Sequence, residues 1–219
     1  DPNYTIYDVY GLQSIQCWMG KNFTMANDID ASTTTNWSSG ADTGFDPLGQ
    51  WDATLYTGTF EGQNYKITDL FINVSTVATD TALFGATGSS GAVQNVGLVN
   101  VDITSAQYAG GLIGSMMDTS SASNCYVTGS VTGGSEYVGG FIEYLDPGVT
   151  VTNSYSTATV TATTGDYVGG FVGASWGAIT NSYSTGAVTT TGNGSMGTGG
   201  FAGRTEGGAS ITNSFSTGN

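Results

Sequence analysis

Residues 167–173 read Y-V-G-G-F-V-G, and this phrase recurs with small changes along the second half of the chain. It stands as Y-A-G-G-L-I-G from Tyr108, as Y-V-G-G-F-I-E from Tyr137 and as T-G-G-F-A-G from Thr198. The apolar residues that follow the glycine pairs are Leu112, Phe141, Phe171 and Phe201, at steps of about 29 or 30 residues. A nearly constant step of this length indicates structural units that stack on one another.

A second phrase follows each copy of the first. It reads S-N-C-Y-V-T-G around Asn124, and then T-N-S-Y-S-T-A, T-N-S-Y-S-T-G and T-N-S-F-S-T-G. The asparagines that recur at this position are Asn95, Asn124, Asn153, Asn181 and Asn213. Asparagine tolerates the left-handed backbone conformation of a tight corner and can hydrogen-bond with its neighbour in a ladder. We therefore predict that these asparagines mark one corner of successive coils.

Each repeat contains three short strand patterns separated by turn residues, and nothing in it has the length of a helix. Three strands in about 28–32 residues fit one coil of a β-solenoid. The regular units begin near residue 80 and number about five. The sequence therefore predicts an all-β chain in which Leu112, Phe141, Phe171 and Phe201 form one buried column, while the glycine pairs allow close approach of neighbouring backbones.

The N-terminal part of the chain has a different pattern. Leu12, Ile15 and Met19 follow helical spacing, which predicts a short capping helix within residues 8–19, ended by Gly20. Such a helix would cover the open end of the stack.

We divide the chain into an N-terminal cap and lead-in region, residues 1–57, and a β-solenoid, residues 58–219. Residues 32–57 resemble a loop, and Trp37 and Trp51 within it are expected to lie over the core. Residues 2–9 have the pattern of an edge strand. This strand either pairs within its own chain or adds to the last coil of another chain.

Acidic residues dominate the charge of the chain. Seventeen aspartates and glutamates face three lysines and arginines in 219 residues, which gives a net charge of −14. This surface should repel nucleic acid and anionic membranes and should suit a salt-exposed, extracellular setting. No segment approaches the roughly 20 apolar residues of a membrane span. Because the chain begins at Asp1 rather than at methionine, we expect a mature or excised segment.

The two cysteines, Cys17 and Cys125, are too few for a disulfide framework. A bridge between them is one interpretation. The other is a buried free thiol at Cys125, because the equivalent positions in other repeats hold valine or serine.

In a secreted protein, N-glycosylation sequons would mark surface loops. The sequons are at Asn3, Asn22, Asn36, Asn73 and Asn193.

The glycine phrases resemble the GLUG-motif repeats of bacterial and archaeal surface proteins. The signature stands as Gly111-Leu112-Ile113-Gly114 and as Gly170-Phe171-Val172-Gly173, and it departs to glutamate at Glu143. The upstream text G-T-F-E-G-Q-N-Y-K-I-T-D-L is similar to the region that precedes such repeats. The resemblance implies a right-handed parallel β-helix in a secreted or wall-attached protein, often an adhesin. It supplies no catalytic residues.

Few side chains suggest chemistry. The chain has no histidine, and most of its acids are scattered singly in turns, so we predict no catalytic site and no required cofactor. Glu136 and Asp166 share one repeat position, and Asp28 and Asp30 flank Ile29. Both pairs are either solvated turn residues or weak calcium sites. A further set with aromatic rings, Tyr126, Tyr155, Tyr183 and Phe215, either stacks in the fold or forms an outward strip for carbohydrate.

Two function classes follow from these observations. The first is a non-enzymatic cell-surface repeat module, adhesin-like, with glycans or surface proteins as partners. The second is a structural subunit of an extracellular filament or surface layer that assembles end to end through open coil edges. Both place the chain outside the cell, and neither involves nucleic acid or insertion of this segment into a membrane.

Overall fold

The protein is a β-solenoid of about five coils, as the period predicts, with one short α-helix near its N-terminus. The computed structural model describes residues 3–75, 80–164, 166–192 and 196–218. Strands of successive coils pair in parallel within four sheets, so that each coil contributes a strand to each face of the stack. The predicted all-β fold class is confirmed.

The first and third sheets contain short strands only. The first sheet consists of Tyr4–Ile6, Phe23–Met25, Thr59–Glu61, Ala92–Gln94, Ser121–Ser123, Thr150–Thr152, Ala178–Thr180 and Ser210–Thr212. The third sheet consists of Ala109–Gly110, Tyr137–Gly139, Tyr167–Gly169 and Gly197–Gly199. Every strand pair in these two sheets is parallel, which requires a connection around the coil between partners.

The second sheet is the largest and the fourth contains the GLUG-like phrases. The second sheet consists of Ile29–Asp30, Ser38–Ser39, Asp42–Gly44, Lys66–Thr68, Phe71–Val74, Gly97–Ser105, Tyr126–Gly133, Tyr155–Ser156, Thr159–Ala162, Tyr183–Ser184, Val188–Thr190 and Phe215–Ser216. The fourth sheet consists of Phe84–Thr87, Ile113–Met116, Ile142–Leu145, Val172–Ser175 and Ala202–Thr205.

The N-terminal helix is shorter than the pattern predicts. An α-helix spans Val9–Gln13, and a 3₁₀ helix, Ser14–Cys17, continues it. The Asp8 carboxylate caps the first turn by accepting the Gly11 N–H at 2.8 Å. The helix and its 3₁₀ continuation are amphipathic, as predicted: Val9, Leu12 and Ile15 are buried, whereas Tyr10 is 64% exposed.

The first strand pairs within its own chain. Tyr4–Ile6 lies parallel to Phe23–Met25, which in turn pairs with Thr59–Glu61, so the N-terminal segment extends the first sheet. This is the intrachain alternative of the two that the sequence leaves open.

The region predicted as loop, residues 32–57, contains regular structure of its own. A second 3₁₀ helix spans Ser32–Asn36, and Ser38–Ser39 and Asp42–Gly44 form an antiparallel pair. The second of these strands lies antiparallel to Phe71–Val74 on the solenoid. The two tryptophans also differ: Trp37 packs against the core, whereas Trp51 is 45% exposed.

The column predicted from the 29–30-residue step lies in the interior. Leu112, Phe141 and Phe171 are completely buried, and Phe201 is partly buried at the end of the column. The ring centroids of Phe141 and Phe171 are 4.7 Å apart, and those of Phe171 and Phe201 are 4.9 Å apart. These distances equal the spacing of neighbouring strands, because each ring lies directly over its equivalent in the next coil.

The glycine pairs permit this spacing. A Cβ atom at Gly140 would lie 2.3 Å from the carbonyl oxygen of Gly170, and one at Gly170 would lie 2.2 Å from that of Gly200. Both distances are far inside van der Waals contact. Side chains at the second glycine would therefore separate the coils and break the backbone hydrogen bonds around the phenylalanine column.

The structure places the five repeat asparagines in one line at a corner of the solenoid. All have left-handed backbone conformations, with φ between 51° and 56°. Each of the four later side chains donates an amide hydrogen bond to the side-chain oxygen of the asparagine one coil earlier, at 3.0–3.3 Å. Asn95, the first, donates to the Glu61 carboxylate, which ends the ladder.

Cys125 is a buried free thiol, and Cys17 is an exposed one. The Cys125 Sγ lies 3.1 Å from the carbonyl oxygen of Ser123, as the Ser154 Oγ lies 2.9 Å from that of Thr152. Burial raises the pKa of the Cys125 thiol to about 12. The interpretation as a buried small side chain is confirmed, and the bridge to Cys17 is wrong.

Replacing Phe171 by alanine should reduce the free energy of unfolding by about 3–5 kcal/mol, because the ring is completely buried between two others and its loss leaves a cavity. Urea denaturation followed by circular dichroism measures this. Phe215→Ala is the matched control, since that ring is 56% exposed, and should cost less than about 1 kcal/mol. Equal losses for the two variants would contradict the assignment of the column.

Replacing Asn153 by alanine should cost about 2 kcal/mol, because alanine is strained at φ 52° and two ladder hydrogen bonds are lost. Asn153→Gly loses the same hydrogen bonds without the strain and should cost about 1 kcal/mol. Thermal unfolding of both variants separates the two contributions. If alanine were tolerated as well as glycine, the left-handed corner would not contribute to stability.

Candidate functional site

A ladder of aromatic rings runs along the outer surface of the second sheet. Its members are Tyr126, Tyr155, Tyr183 and Phe215. Successive ring centroids are 5.0, 4.8 and 5.3 Å apart, and successive ring planes differ by 5°, 3° and 9°. The three tyrosines are half-buried by one another. We call this set the outer tyrosine ladder.

The outer tyrosine ladder presents ring edges rather than ring faces to solvent. Each interior ring is covered on both sides by its neighbours, and the Tyr126 ring also lies on Gly97, where a Cβ would approach the ring to 2.2 Å. A sugar that stacks on aromatic side chains needs a free ring face. The stacking interpretation therefore explains these residues better than a carbohydrate strip does.

A second group of aromatic side chains surrounds a cleft on the neighbouring face. The rings of Tyr108, Tyr137 and Tyr167 stack at centroid distances of 6.2 and 5.6 Å. Tyr144 contacts Tyr137 at 5.7 Å and meets Trp51 edge to face at 5.5 Å. Because these contacts cross three coils and the N-terminal loop, the cleft has walls from distant parts of the sequence.

Arg204 buttresses this aromatic group from one side. Its guanidinium carbon lies 4.7 Å from the centre of the Tyr167 ring and 5.4 Å from that of Trp176, and it pairs with Glu206. Tyr167 also accepts a hydrogen bond from Arg204 through its hydroxyl at 3.0 Å. These cation–π contacts hold Tyr167 and Trp176 in place, and those two rings in turn pack against the cleft residues Tyr137 and Tyr144.

The cleft has a volume of about 390 Å³. We call it the Trp51 cleft. Its lining residues are Gln50, Trp51, Asp52, Asp80, Tyr108, Ser115, Tyr137, Glu143 and Tyr144. The volume lies within the range of small-ligand pockets, and the mixture of aromatic walls with a few convergent polar groups is typical of them.

Two carboxyl groups, those of Asp80 and Glu143, meet in the Trp51 cleft. Asp80 is 6% exposed and Glu143 is 2% exposed. Asp80 accepts hydrogen bonds from the backbone N–H of Trp51 at 3.1 Å and from the Ser115 hydroxyl at 3.1 Å. The Glu143 side chain interacts with that of Asp80. Its Oε2 atom is buried and makes no hydrogen bond with any described residue.

Burial and mutual repulsion shift the protonation of the pair. Desolvation raises the pKa of Glu143 well above its ordinary value, and the Asp80 charge raises it further. Desolvation also raises the pKa of Asp80, but hydrogen bonds from Trp51 and Ser115 oppose this shift. Burial therefore favours the protonated form of Glu143 more strongly than that of Asp80.

Glycines in the neighbouring coils make room for this pair. The fourth position of the glycine phrase is occupied by Gly85, Gly114, Glu143, Gly173 and Gly203. A Cβ atom at Gly114 would lie 2.8 Å from the Asp80 Cβ, so only glycine lets Asp80 cross that coil. The single side chain in the column, Glu143, lies in the next coil and meets Asp80 there.

The pairing of Asp80 with Glu143 was not predicted from the sequence, although one feature of the sequence pointed to it. Glu143 is the only residue other than glycine at its repeat position and so departs from the motif. A charged residue that replaces a glycine in a packed column requires a compensating partner. That partner, Asp80, lies at the start of the first regular repeat, at a different repeat position from Glu143, so no spacing rule connects the two.

The other acidic candidates have local partners. The Asp28 carboxylate accepts the Lys66 N–H and that of Asp30 accepts the Ser32 N–H, both at 2.9 Å. The structure places Glu136 and Asp166 in neighbouring coils, next to the stacked tyrosines. Among the described residues, no group of three or more His, Cys, Asp or Glu side chains is placed to hold a metal ion.

The sequons differ in accessibility. Asn3 and Asn36 are exposed, whereas Asn22 and Asn73 are half-buried. The Asn22 side-chain oxygen accepts the Thr59 N–H at 2.8 Å, and the Asn73 amide donates to Thr43 at 3.3 Å. Asn193 lies outside the described residues. Exposure therefore favours Asn3 and Asn36 as the glycosylation positions to examine first.

The repeats match the sequence model of the GLUG motif at residues 105–132, 164–189 and 194–219. Over 110 residues the chain is also 32% identical to halomucin of Haloquadratum walsbyi. That alignment covers 50% of this chain and 1% of halomucin, so the chain matches a very small part of that relative.

A crystal structure from Bacteroides ovatus, described as a candidate immunoglobulin A1 protease, is similar in fold. It superposes with a TM-score of 0.74 at 26% sequence identity, and the match covers 99% of this chain and 66% of that one. In the part of the chain that the structure describes, no helix is long and apolar enough to cross a membrane.

Replacing Glu143 by glutamine should stabilise the protein increasingly as the pH rises above about 4.5, the ordinary pKa of the side chain. The folded protein retains a proton that the unfolded chain releases, so its stability falls between the unfolded and the folded pKa by at most about 1.4 kcal/mol per pH unit. Glutamine carries no such proton. Urea denaturation of both proteins at pH 4, 5.5 and 7 measures the difference, and a difference that is independent of pH would contradict a buried, protonated Glu143.

Proposed function

We propose that this chain, which carries three GLUG-motif segments on a β-solenoid fold, is a non-enzymatic, adhesin-like module of the cell surface. It acts as a stiff, elongated support that presents its lateral faces outside the cell. The GLUG repeats and the similarity to halomucin support a surface or secreted protein. The lateral face that contains the Trp51 cleft is its binding face.

One observation carries the proposal: the parallel register is continuous from coil to coil. The first sheet, for example, pairs Val93 with Ala122, Ala122 with Val151, Val151 with Ile179 and Ile179 with Ile211. A stack in which each coil contacts its neighbours in the same way forms a rod with extended lateral surfaces. Such a rod suits a role in which a binding surface is held away from the cell.

The charge of the chain supports the same setting. A net charge of −14 with three basic residues gives a surface that stays hydrated and repels others of its kind. Salt screens repulsion between exposed charges to within about 10 Å at 0.1 M ionic strength. Repulsion among the acidic side chains therefore destabilises the folded protein least in a saline medium such as that outside cells.

The carboxyl pair in the Trp51 cleft does not have the arrangement of a glycosidase. Glycosidases use two carboxyl groups about 5 Å or more apart, on either side of the bond that is cleaved. The side chains of Asp80 and Glu143 instead interact with each other. The chain also has no histidine for acid–base or nucleophilic catalysis. These facts favour binding over catalysis.

A filament subunit is the second candidate, and it has less support. Strand exchange through residues 2–9 would need a free first strand, but Tyr4–Ile6 is paired with Phe23–Met25 of the same chain. Ile211 and Phe215, in the last coil that the structure describes, are 38% and 56% exposed. This exposure is the observation that keeps end-to-end contact as a second candidate.

Brief treatment of intact producing cells with chymotrypsin should release peptides of this chain, as mass spectrometry of the supernatant would detect. Chymotrypsin suits a chain with 11% aromatic residues and only three lysines and arginines. An abundant cytoplasmic protein is the control and should appear only after lysis. Peptides of this chain that also appear only after lysis would contradict a place at the cell surface.

A further inference from the structure

The Trp51 cleft contains a buried polar atom without a partner. Oε2 of Glu143 makes no hydrogen bond with any described residue, although the residue lines the cleft and is 98% buried. A buried polar atom without a hydrogen bond costs about 1–3 kcal/mol. Sister coils avoid the cost by having glycine at this position, so the glutamate is a departure that stability alone does not explain.

Trp51 gives the cleft an accessible aromatic surface. The side chain is 45% exposed, and its described ring contact is with Tyr144, at an interplanar angle of 64°. An edge-to-face contact covers much less of the aromatic surface than the parallel stacking of the outer tyrosine ladder does. Aliphatic C–H groups with partial positive charge are attracted to such a ring face, because the face of an aromatic ring is negative.

The charges of the cleft select among ligands. Its lining includes Asp52, Asp80 and Glu143 and no lysine or arginine. An anionic ligand would meet the negative charges of the first two without a compensating cation. A ligand with uncharged hydroxyl groups can donate to the Asp80 carboxylate and pair with the Glu143 carboxyl group and the tyrosine hydroxyls, without placing a second charge in a buried site.

We propose that the Trp51 cleft binds an uncharged sugar unit, which stacks on Trp51 and pairs its hydroxyl groups with the buried carboxyl groups of Asp80 and Glu143. This inference rests on the proposed function, because it names the ligand class of the binding face of the module. The cleft volume of about 390 Å³ fits one or a few sugar units of a longer glycan.

The test uses the full chain and an array of neutral oligosaccharides, followed by calorimetry with the neutral tetrasaccharides that bind. Tetragalacturonate and the glucosamine tetramer serve as anionic and cationic probes of similar size. Trp51→Ala should weaken binding by about tenfold or more, since it removes the stacking surface. Trp18→Ala is the matched control: Trp18 is 55% exposed and does not line the cleft, so the affinity should change by less than about twofold.

Two substitutions of Glu143 test the buried pair. Glu143→Gly restores the residue of the sister coils, so it should fold normally and yet weaken binding by about tenfold. Glu143→Gln keeps an uncharged hydrogen-bonding group and should bind within about threefold of the unaltered chain. Circular dichroism and the unfolding temperature of each variant establish that a loss of binding is not a loss of structure.

Four results would overturn the proposal: no neutral oligosaccharide binds, Trp51→Ala binds as well as Trp18→Ala, Glu143→Gly binds as well as the unaltered chain, or either charged probe binds more tightly than the neutral ones. Release of the chain from intact cells by protease does not depend on this cleft. A failure of the sugar proposal is therefore distinguishable from a failure of the proposed surface role.

Discussion

The parallel hydrogen bonding of each coil to the next is the constraint on which the rest of this structure depends. Because most strands keep the same register from coil to coil, the recurrent side chains lie over their equivalents, at the spacing of neighbouring strands. Three different columns follow from that one constraint. Phenylalanines stack inside, asparagines form a hydrogen-bonded ladder at a corner, and tyrosines stack on the outer surface.

The same constraint explains why one substitution has a large local effect. Glycine occupies four of the five equivalent positions around Glu143, since neighbouring backbones approach too closely for a side chain. At Glu143 the column contains a carboxyl group, and Asp80 reaches it across Gly114. The Trp51 cleft thus forms where Glu143 replaces a repeat glycine and where the N-terminal loop covers that coil. The regular coils hold the cleft in place, and its polar groups come from residues that depart from the repeat.

The features that follow from the repeat period could be predicted from the sequence. The contacts that join residues at unrelated positions of the chain could not. The step of 29 or 30 residues was enough to predict the solenoid and the buried phenylalanine column. It could not predict that Asp42–Gly44 pairs with Phe71–Val74, because a short polar strand has no hydrophobic alternation. The Trp51 cleft was also missed, since Trp51 lies outside the regular repeat and Asp80 occupies a different repeat position from Glu143. The three residues meet only through the wrapping of the chain.

Removal of one complete coil tests the central claim, that equivalent positions in successive coils are interchangeable, most directly. Asn153 and Asn181 are equivalent and 28 residues apart, so deletion of residues 154–181 joins the chain at matching positions. This protein should keep its β circular dichroism and unfold cooperatively, whereas deletion of residues 154–167, about half a coil, should disrupt the coils that follow. If the two deletions were equally tolerated or equally damaging, the account of a stack held together by its register would be contradicted.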